Sequence, residues 1–92
     1  MELADLHTFF VVAEEQSFAR AARRLHRTPP AVSLAVKRLE RRVGTALFSR
    51  ETKPAELTPA GRLLAGYAGE IGRVQDEARG ALARLRQRPG LP

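Results

Sequence analysis

The residues best placed to do chemistry share one side of a segment that begins with two prolines, TPPAVSLAVKRLE at 28–40. On a helix, residues spaced i, i+3, i+4 and i+7 lie on one stripe, and here that stripe contains Pro29, Pro30, Ser33, Leu34 and Lys37. It offers a hydroxyl, an ammonium group and a branched apolar side chain. Such groups can contact the edges of base pairs, and a leucine among polar neighbours suits the 5-methyl group of thymine.

The charge of the chain also favours a polyanionic partner. The 92 residues include 16 Lys and Arg against 10 Asp and Glu, for a net charge of +6. Residues 1–19 contain four acidic residues and no Lys or Arg, whereas residues 20–62 contain eleven Lys and Arg and three acidic residues. Charge concentrated in one block is typical of a nucleic-acid-binding face. An ordinary solvated surface is an equal alternative on charge alone.

Other kinds of site find little support in the sequence. Glu14 and Glu15 are adjacent and cannot share a helix face, and His7 and His26 stand in no metal-binding motif. The chain has no cysteine for a disulfide or a thiolate metal site. The apolar run at 9–13 is too short to cross a membrane and follows no basic leader. We therefore expect no enzyme, no cofactor, no metal and no membrane, and a location in the cytoplasm at the nucleoid.

Three short helices are expected to position the outer stripe. Apolar residues at three-to-four spacing predict the first over about 3–14 and the second over about 18–25, with Ser17 as the N-cap of the second. A tight turn at 26–27 then leads to the third helix. The aromatic side chains that fall on inward stripes are assigned to the core rather than to base stacking: Phe9, Phe10, Phe18 and Phe48.

The third helix is predicted from residue 29 or 30 to 43. Prolines in a first turn remove no helical hydrogen bond. Because Pro30 disfavours the α region at the residue before it, the N-cap is either Thr28 or Pro29. Gly44 is a natural stop. The predicted inner stripe consists of Val32, Ala35, Val36, Leu39 and Val43.

A small hairpin is predicted after the third helix. Residues 47–49 and 56–58 indicate two short strands around a polar turn at 51–54. A hairpin of this size needs a helical core to pack against. We interpret it as a wing.

A fourth, longer helix is predicted from Pro59, with Thr58 as its cap, to about Arg86. Its glycines weaken it by roughly 1 kcal/mol each relative to alanine, so a partner is expected to stabilise it. The alternative is a helix that folds back on its own domain. Apolar residues with heptad spacing predict a dimer seam: Leu64, Ile71, Ala78 and Leu85, with Tyr67, Val74 and Ala81 between them.

Two short helices, a tight turn and a wing describe a winged helix-turn-helix. Its motifs occur in a fixed order over residues 1–65, as Leu6…Phe9, Ser17-Phe18…Ala21-Ala22…Leu25, Pro30-Ala31-Val32-Ser33…Leu39-Glu40, Gly44…Leu47-Phe48…Arg50 and Leu57-Thr58…Gly61. This series resembles the N-terminal DNA-binding domain of LysR-type transcriptional regulators.

The resemblance implies a mainly α fold, with a winged helix-turn-helix at 1–58, a linker and dimerisation helix at 59–88 and a hinge remnant at 89–92. It also implies sequence-specific binding to promoter DNA, as a homodimer on an interrupted dyad. The third helix would lie in the major groove and the wing, 47–58, at the flanking minor groove or backbone. A small-molecule effector would act only through an effector domain that is absent from this chain.

Some contact residues follow from the same resemblance, and others from their place on the predicted helices. The base-reading positions of the family match 29, 30, 33 and 34, and the wing arginine matches 50 or 53. Pro29 stands where the family usually has glutamine, and Leu34 where it often has arginine or another polar residue. The expected DNA-binding residues are Arg27, Thr28, Pro29, Pro30, Ser33, Leu34, Lys37, Arg50 and Lys53, and the expected dimer residues are Leu64, Tyr67, Ile71, Val74, Ala78, Leu82 and Leu85.

The two departures remove hydrogen-bonding groups from the outer stripe. Specificity is therefore expected to depend on methyl contacts, DNA deformability and the wing. The apolar patch of Pro29, Pro30 and Leu34 also leaves an alternative. In that alternative, a winged helix serves protein contacts or non-specific DNA packaging. The basic block, the wing arginine and the dimer seam favour specific recognition of a dyad.

Overall fold

Four helices and one two-stranded sheet make up the computed structural model, which describes residues 1–87. In chain order they are α1 (Leu3–Glu15), α2 (Phe18–Leu25), α3 (Pro29–Val43), β1 (Phe48–Arg50), β2 (Glu56–Leu57) and α4 (Pro59–Arg86). The mainly α fold, with three helices, a hairpin and a long helix, is confirmed. The predicted hinge at 89–92 and the last residue of the predicted linker lie outside the described residues.

Short capping motifs set the turn between α1 and α2. Gln16 ends α1 in the left-handed region, at φ 54°. Ser17 is the N-cap of α2, as predicted, and its Oγ accepts a hydrogen bond of 3.0 Å from the backbone N–H of Arg20. A second left-handed residue, His26, ends α2. These local signals explain why the two helices were recognisable from the sequence.

Thr28, and not Pro29, is the N-cap of α3. Thr28 has an extended backbone, and its Oγ1 accepts from the backbone N–H of Ala31 at 3.3 Å. With proline at the first two helical positions, the N–H of Ala31 is the first backbone donor of the helix. A threonine hydroxyl can satisfy this donor and a proline side chain cannot, which decides between the two candidates. Gly44, at φ 78°, ends the helix as predicted.

The core lies between the three short helices and the base of the wing. Its largest fully buried side chains are Phe9, Leu39, Leu47, Val11, Val12, Val32 and Val36. The ring of Phe48 packs edge-on against Phe9 and Phe18, at centroid distances of 5.6 and 5.2 Å. Phe10 is partly buried against the same cluster, so all four phenylalanines belong to the core as predicted.

The inner stripe of α3 is one turn shorter than predicted. Val32, Ala35, Val36 and Leu39 are fully buried, but Val43 is 36% exposed. The core cluster contains no residue between Leu39 and Leu47. The last turn of α3 therefore extends past the core, and the assignment of Val43 to the inner stripe was wrong.

The wing is a short antiparallel hairpin in which Phe48 is paired with Leu57 and Arg50 with Glu56. Each strand differs by about one residue from the prediction. Thr58 is not part of β2, because it caps α4: its Oγ1 accepts from the N–H of Gly61 at 2.9 Å and donates to the carbonyl of Ala46 at 2.8 Å.

Helix α4 first packs against the domain and then extends beyond it, in a molecule that measures 53 × 24 × 19 Å. The packed side includes Ala60, Leu64, Ala65, Ala68 and Ile71. Among residues 1–87, no helix combines the length and the apolar character needed to cross a membrane.

Candidate nucleic-acid interface

The outer face of α3, defined as Pro29, Pro30, Ser33, Leu34 and Lys37, lies at the surface. Leu34 is 52% exposed although its neighbours on the inner side, Ala35 and Val36, are completely buried. Ser33 is half-buried and the other members of the face are exposed. The structure therefore brings together the stripe that the helical spacing predicts.

The start of α3 carries few free backbone donors. The two prolines have no N–H, and the N–H of Ala31 already donates to Thr28 Oγ1. The N–H of Val32 donates to the carbonyl of Thr28 at 3.1 Å. Anion binding at a helix N-terminus depends on such N–H groups. The main donor left at this end is the hydroxyl of Thr28, which accepts one hydrogen bond and still has a proton to donate.

An ion pair joins the outer face to the turn of the wing. Lys37 Nζ donates to Glu51 Oε2 at 2.9 Å, and both side chains are partly exposed. The hydrogen bond from Lys37 to the Glu51 carboxylate, with the charge of that carboxylate, raises the pKa of Lys37 above its usual range. The lysine is thus charged but already has a partner.

The two predicted basic contacts of the wing differ in their surroundings. Arg50 donates from Nε to Thr52 Oγ1 at 3.1 Å and from a terminal nitrogen to the carbonyl of Lys53 at 3.4 Å. Its guanidinium lies 3.8 Å from Glu56. The side chain of Arg50 therefore lies across the wing turn. Lys53 is exposed at that turn.

Glu40 fixes the base of the wing to α3, a role that the sequence analysis did not assign. Its Oε2 accepts from the backbone N–H groups of Leu47 and Phe48, at 2.8 and 3.3 Å. The carboxylate thus satisfies two amides at the start of β1 and sets the position of the wing relative to the outer face. The available signal was an acid within the basic run RLERR.

The acidic N-terminal block does not oppose the basic block, because the two are paired. Asp5 accepts two hydrogen bonds from Arg38, at 3.2 and 3.0 Å, and these raise the pKa of Arg38. Arg24 contacts both Glu14 and Glu15, at 2.8 and 3.2 Å. The N-terminal carboxylates thus neutralise arginines of α2 and α3.

Arg27, predicted near DNA, donates to Thr8 Oγ1 of α1 at 3.4 Å. Arg41 and Arg42 are exposed on the last turn of α3, on the part of the helix that extends past the core. Of the predicted basic contacts, Lys37 and Arg50 are held by neighbouring groups of the wing, and Arg27 is held by α1.

The predicted seam residues of α4 differ in burial. Leu64 and Ile71 pack in part against the core of their own domain. Tyr67, Val74 and Leu82 are 63%, 52% and 61% exposed. Ala78 and Leu85 are also exposed, and so is Leu63, which the heptad pattern left out. We call the exposed set Leu63, Tyr67, Val74, Ala78, Leu82 and Leu85 the outer stripe of α4.

Comparison with known proteins identifies the domain. Residues 3–62 match the family described as bacterial regulatory helix-turn-helix protein, lysR family. The chain belongs to the LysR family. It is 43% identical over 88 residues to the HTH-type transcriptional regulator PgrR of Escherichia coli K12, an alignment that covers 96% of this chain and 29% of PgrR. The chain thus spans less than a third of that relative.

Solved structures of LysR proteins have the same fold. The DNA-binding domain of BenM in complex with the catB site 1 DNA matches with a TM-score of 0.89 and 33% identity, over 96% of this chain and 98% of that one. Full-length LysG of Corynebacterium glutamicum, with bound effector Arg, matches with a TM-score of 0.86 and 38% identity, over 97% of this chain and 31% of LysG.

The family settles the broad class of function. The chain is a LysR-type winged helix-turn-helix DNA-binding domain, and its named relatives are transcriptional regulators rather than enzymes. Within residues 1–87, His, Asp and Glu form no cluster of three that could hold a metal ion.

Proposed function

We propose that the chain binds specific double-stranded DNA as a homodimer on an interrupted dyad. Helix α3 lies in the major groove, with its outer face toward the bases, and the wing contacts the flanking minor groove or backbone. Arg27, Thr28, Arg50 and Lys53 contact phosphates or the minor groove. The observation that carries the proposal is the exposed outer face of α3 in a fold that BenM uses in complex with DNA.

The chemistry of the outer face favours readout of methyl groups. Two prolines and Leu34 supply no hydrogen-bonding side chain, and Lys37 already has a carboxylate partner. Ser33 is the member of the face whose side-chain hydroxyl remains for base edges. A leucine that is 52% exposed beside such groups gains from contact with the 5-methyl of thymine. We infer that thymines at the centre of each half-site select the DNA.

The dimer is proposed to form through the outer stripe of α4. Among residues 1–87, the part of this apolar stripe that follows Ile71 contributes nothing to the core cluster. A second copy of the helix would cover it, since heptad spacing suits helix pairing. The separation of the two α3 helices, and hence of the half-sites, would follow from this pairing.

Regulation is proposed to need further parts of a full-length protein. The chain spans 29% of PgrR and 31% of LysG. A small-molecule effector would bind outside this domain and alter the spacing of the two DNA-binding domains. As a DNA-binding regulator, the protein would act in the cytoplasm at the nucleoid.

The proposal can be tested with thymine methyl groups as the probe. A duplex is first selected from a randomised library with the 92-residue chain, and its affinity is compared with that of a scrambled duplex across a salt series. Single half-site thymines are then replaced by deoxyuridine, which lacks only the methyl group. We expect replacement at one or two of these thymines to lower the affinity about fourfold. A fourfold change corresponds to about 0.8 kcal/mol, which is the contribution of one buried methyl group.

Leu34→Ala should abolish this sensitivity to deoxyuridine. Leu3→Ala is the matched control, because Leu3 of α1 is 53% exposed and Leu34 is 52% exposed. It should keep the sensitivity. Equal affinity for selected and scrambled duplexes would instead indicate non-specific packaging. Binding to no duplex at low salt would refute the proposal and leave the outer face as a protein contact.

A further inference from the structure

The ion pair between Lys37 and Glu51 joins two elements that both face the proposed DNA. Lys37 is in the third turn of α3, and Glu51 is in the wing turn, 14 residues later. The base of the wing is held separately, through Glu40. The pair is therefore not needed to attach the wing, and the removal of Glu51 leaves that attachment in place.

The pair removes the single cation from the outer face. Pro29, Pro30, Ser33 and Leu34 are uncharged, so Lys37 alone could attract a phosphate or a guanine there. With Glu51 Oε2 at 2.9 Å, the positive charge is balanced locally. DNA that lies against this surface without entering deeply meets an outer face on which the charge of Lys37 is balanced by Glu51.

The pair is also exposed enough to open. The side chains of Lys37 and Glu51 are 54% and 37% exposed to solvent. Exposed ion pairs are weak and exchange partners readily. A lysine that is held so near the bases can move to a phosphate or a guanine when α3 is fully seated in the groove.

We propose that Glu51 is a specificity-determining residue, which holds Lys37 in the free protein and on non-specific DNA and releases it only on a matched site. The inference rests on the proposed function, since it requires that the outer face of α3 enters the major groove. Glu51 thereby weakens binding to mismatched DNA, because Lys37 stays bound to Glu51 on such DNA. A matched half-site lets α3 enter far enough for Lys37 to gain a DNA contact in place of Glu51.

The test compares the affinities of the 92-residue chain and its variants for the selected duplex and for the scrambled duplex across a salt series. Glu51→Gln should raise affinity for the scrambled duplex about three- to tenfold and steepen its salt dependence by about one released counterion. Affinity for the selected duplex should change less, so the ratio of the two affinities falls. Thermal melting of the variant should match that of the original chain, because the Glu40 anchor remains.

Two further variants separate this role from a general effect of charge. Glu14→Gln removes one exposed carboxylate that also contacts an arginine, but on α1. It should leave the affinity ratio unchanged. In a Lys37→Gln background, Glu51→Gln should no longer alter the ratio, because Glu51 acts through the lysine.

Two results would overturn the inference. One is an equal rise on both duplexes with Glu51→Gln, and the other is an unchanged effect of that variant in the Lys37→Gln background. Either result would mean that Glu51 acts only by repelling the DNA backbone. The proposed function would still stand. Failure of the original chain to distinguish the two duplexes would overturn the proposed function itself, and the inference with it.

Discussion

The two halves of α4 have opposite relations to the rest of the molecule. In the first half, Ala60, Leu64, Ala68 and Ile71 pack against the core formed by α1 and the wing base. After Ile71, the helix has no residue in the core cluster. Its large apolar side chains Val74, Leu82 and Leu85 are about half exposed. One continuous helix thus serves as a structural element of the domain and then as a free surface.

The glycines of α4 show that burial also differs between faces of the helix, even within its packed half. A Cβ atom added at Gly61 would lie 2.1 Å from the carbonyl oxygen of Leu47 and 2.9 Å from Cδ2 of Leu57. At Gly66 and Gly72 an added Cβ would meet nothing within 4 Å. Gly61 is therefore required by the close approach of the helix to the wing base, whereas Gly66 and Gly72 only weaken the helix. The contrast teaches that burial, and not sequence periodicity, decides what each residue of α4 does.

The largest effect is expected from Gly61→Ala. The clash with Leu47 involves backbone, so β1 or the start of α4 must move, at a cost of about 3 kcal/mol. For a domain of this size, that lowers the Tm by roughly 12 °C or more. Gly66→Ala is the matched control and should stabilise the domain by about 0.5–1 kcal/mol of helix propensity, which raises the Tm by a few degrees. Calorimetry of the two variants measures the difference, and equal Tm values would contradict the close approach.

A smaller effect, confined to association, is expected from Val74→Glu. Val74 lies on the outer stripe and outside the core. A charge there should weaken a dimer by at least about tenfold, since a buried valine contributes about 1.5 kcal/mol or more. The Tm of the DNA-binding domain should not fall with it. Sedimentation equilibrium gives the dimer constant.

Ala83→Glu is the control for that variant. Ala83 lies nine residues from Val74, which is two and a half turns and hence the opposite side of the helix. It should leave the dimer intact. Ile71 is a poorer target for a charge, because it contacts the core and its loss would alter folding and association together. Sedimentation of Val74→Glu identical to that of the original chain would refute the seam.

The elements could be predicted because their signals are local. Ser17, the prolines at 29 and 30, and Gly44 each act on their own backbone or within one turn. The rotation of α4 could not be predicted in the same way. Leu64 and Ile71 have the same spacing as Tyr67 and Val74, and the position of the rest of the domain alone decides which pair is buried.

The site was predictable only in part, for a related reason. The outer face of α3 follows from helical spacing and was found. The partners of its groups were not, since Glu51 is 14 residues from Lys37 and the amides bonded to Glu40 are seven and eight residues from it. These contacts exist because the wing folds back beside α3. No periodic pattern in the sequence encodes that approach.

The smallest expected effect is the response to acid of the half of α4 that follows Ile71. Arg73 contacts Glu70 at 3.1 Å and also pairs with Glu77, and the hydrogen bond from Arg73 lowers the pKa of Glu70 below its ordinary value of 4.5. A carboxylate whose pKa is lower in the folded state stabilises that state above its unfolded pKa. The contribution is lost as the pH falls through the lowered value.

We therefore expect the helix around Arg73 to lose order at acid pH, below the ordinary pKa of Glu70, before the packed half of α4 does. Backbone carbon chemical shifts at Val74 and at Ala65, followed from pH 6 downward, measure the two halves separately. Glu70→Gln removes the carboxylate that titrates. This variant should therefore lose most of the acid-induced change in chemical shift at Val74, and the shift at Ala65 should be unaffected. A simultaneous change at both positions would mean that α4 unfolds as one unit, so that packing of its first half also stabilises the part that extends beyond the core.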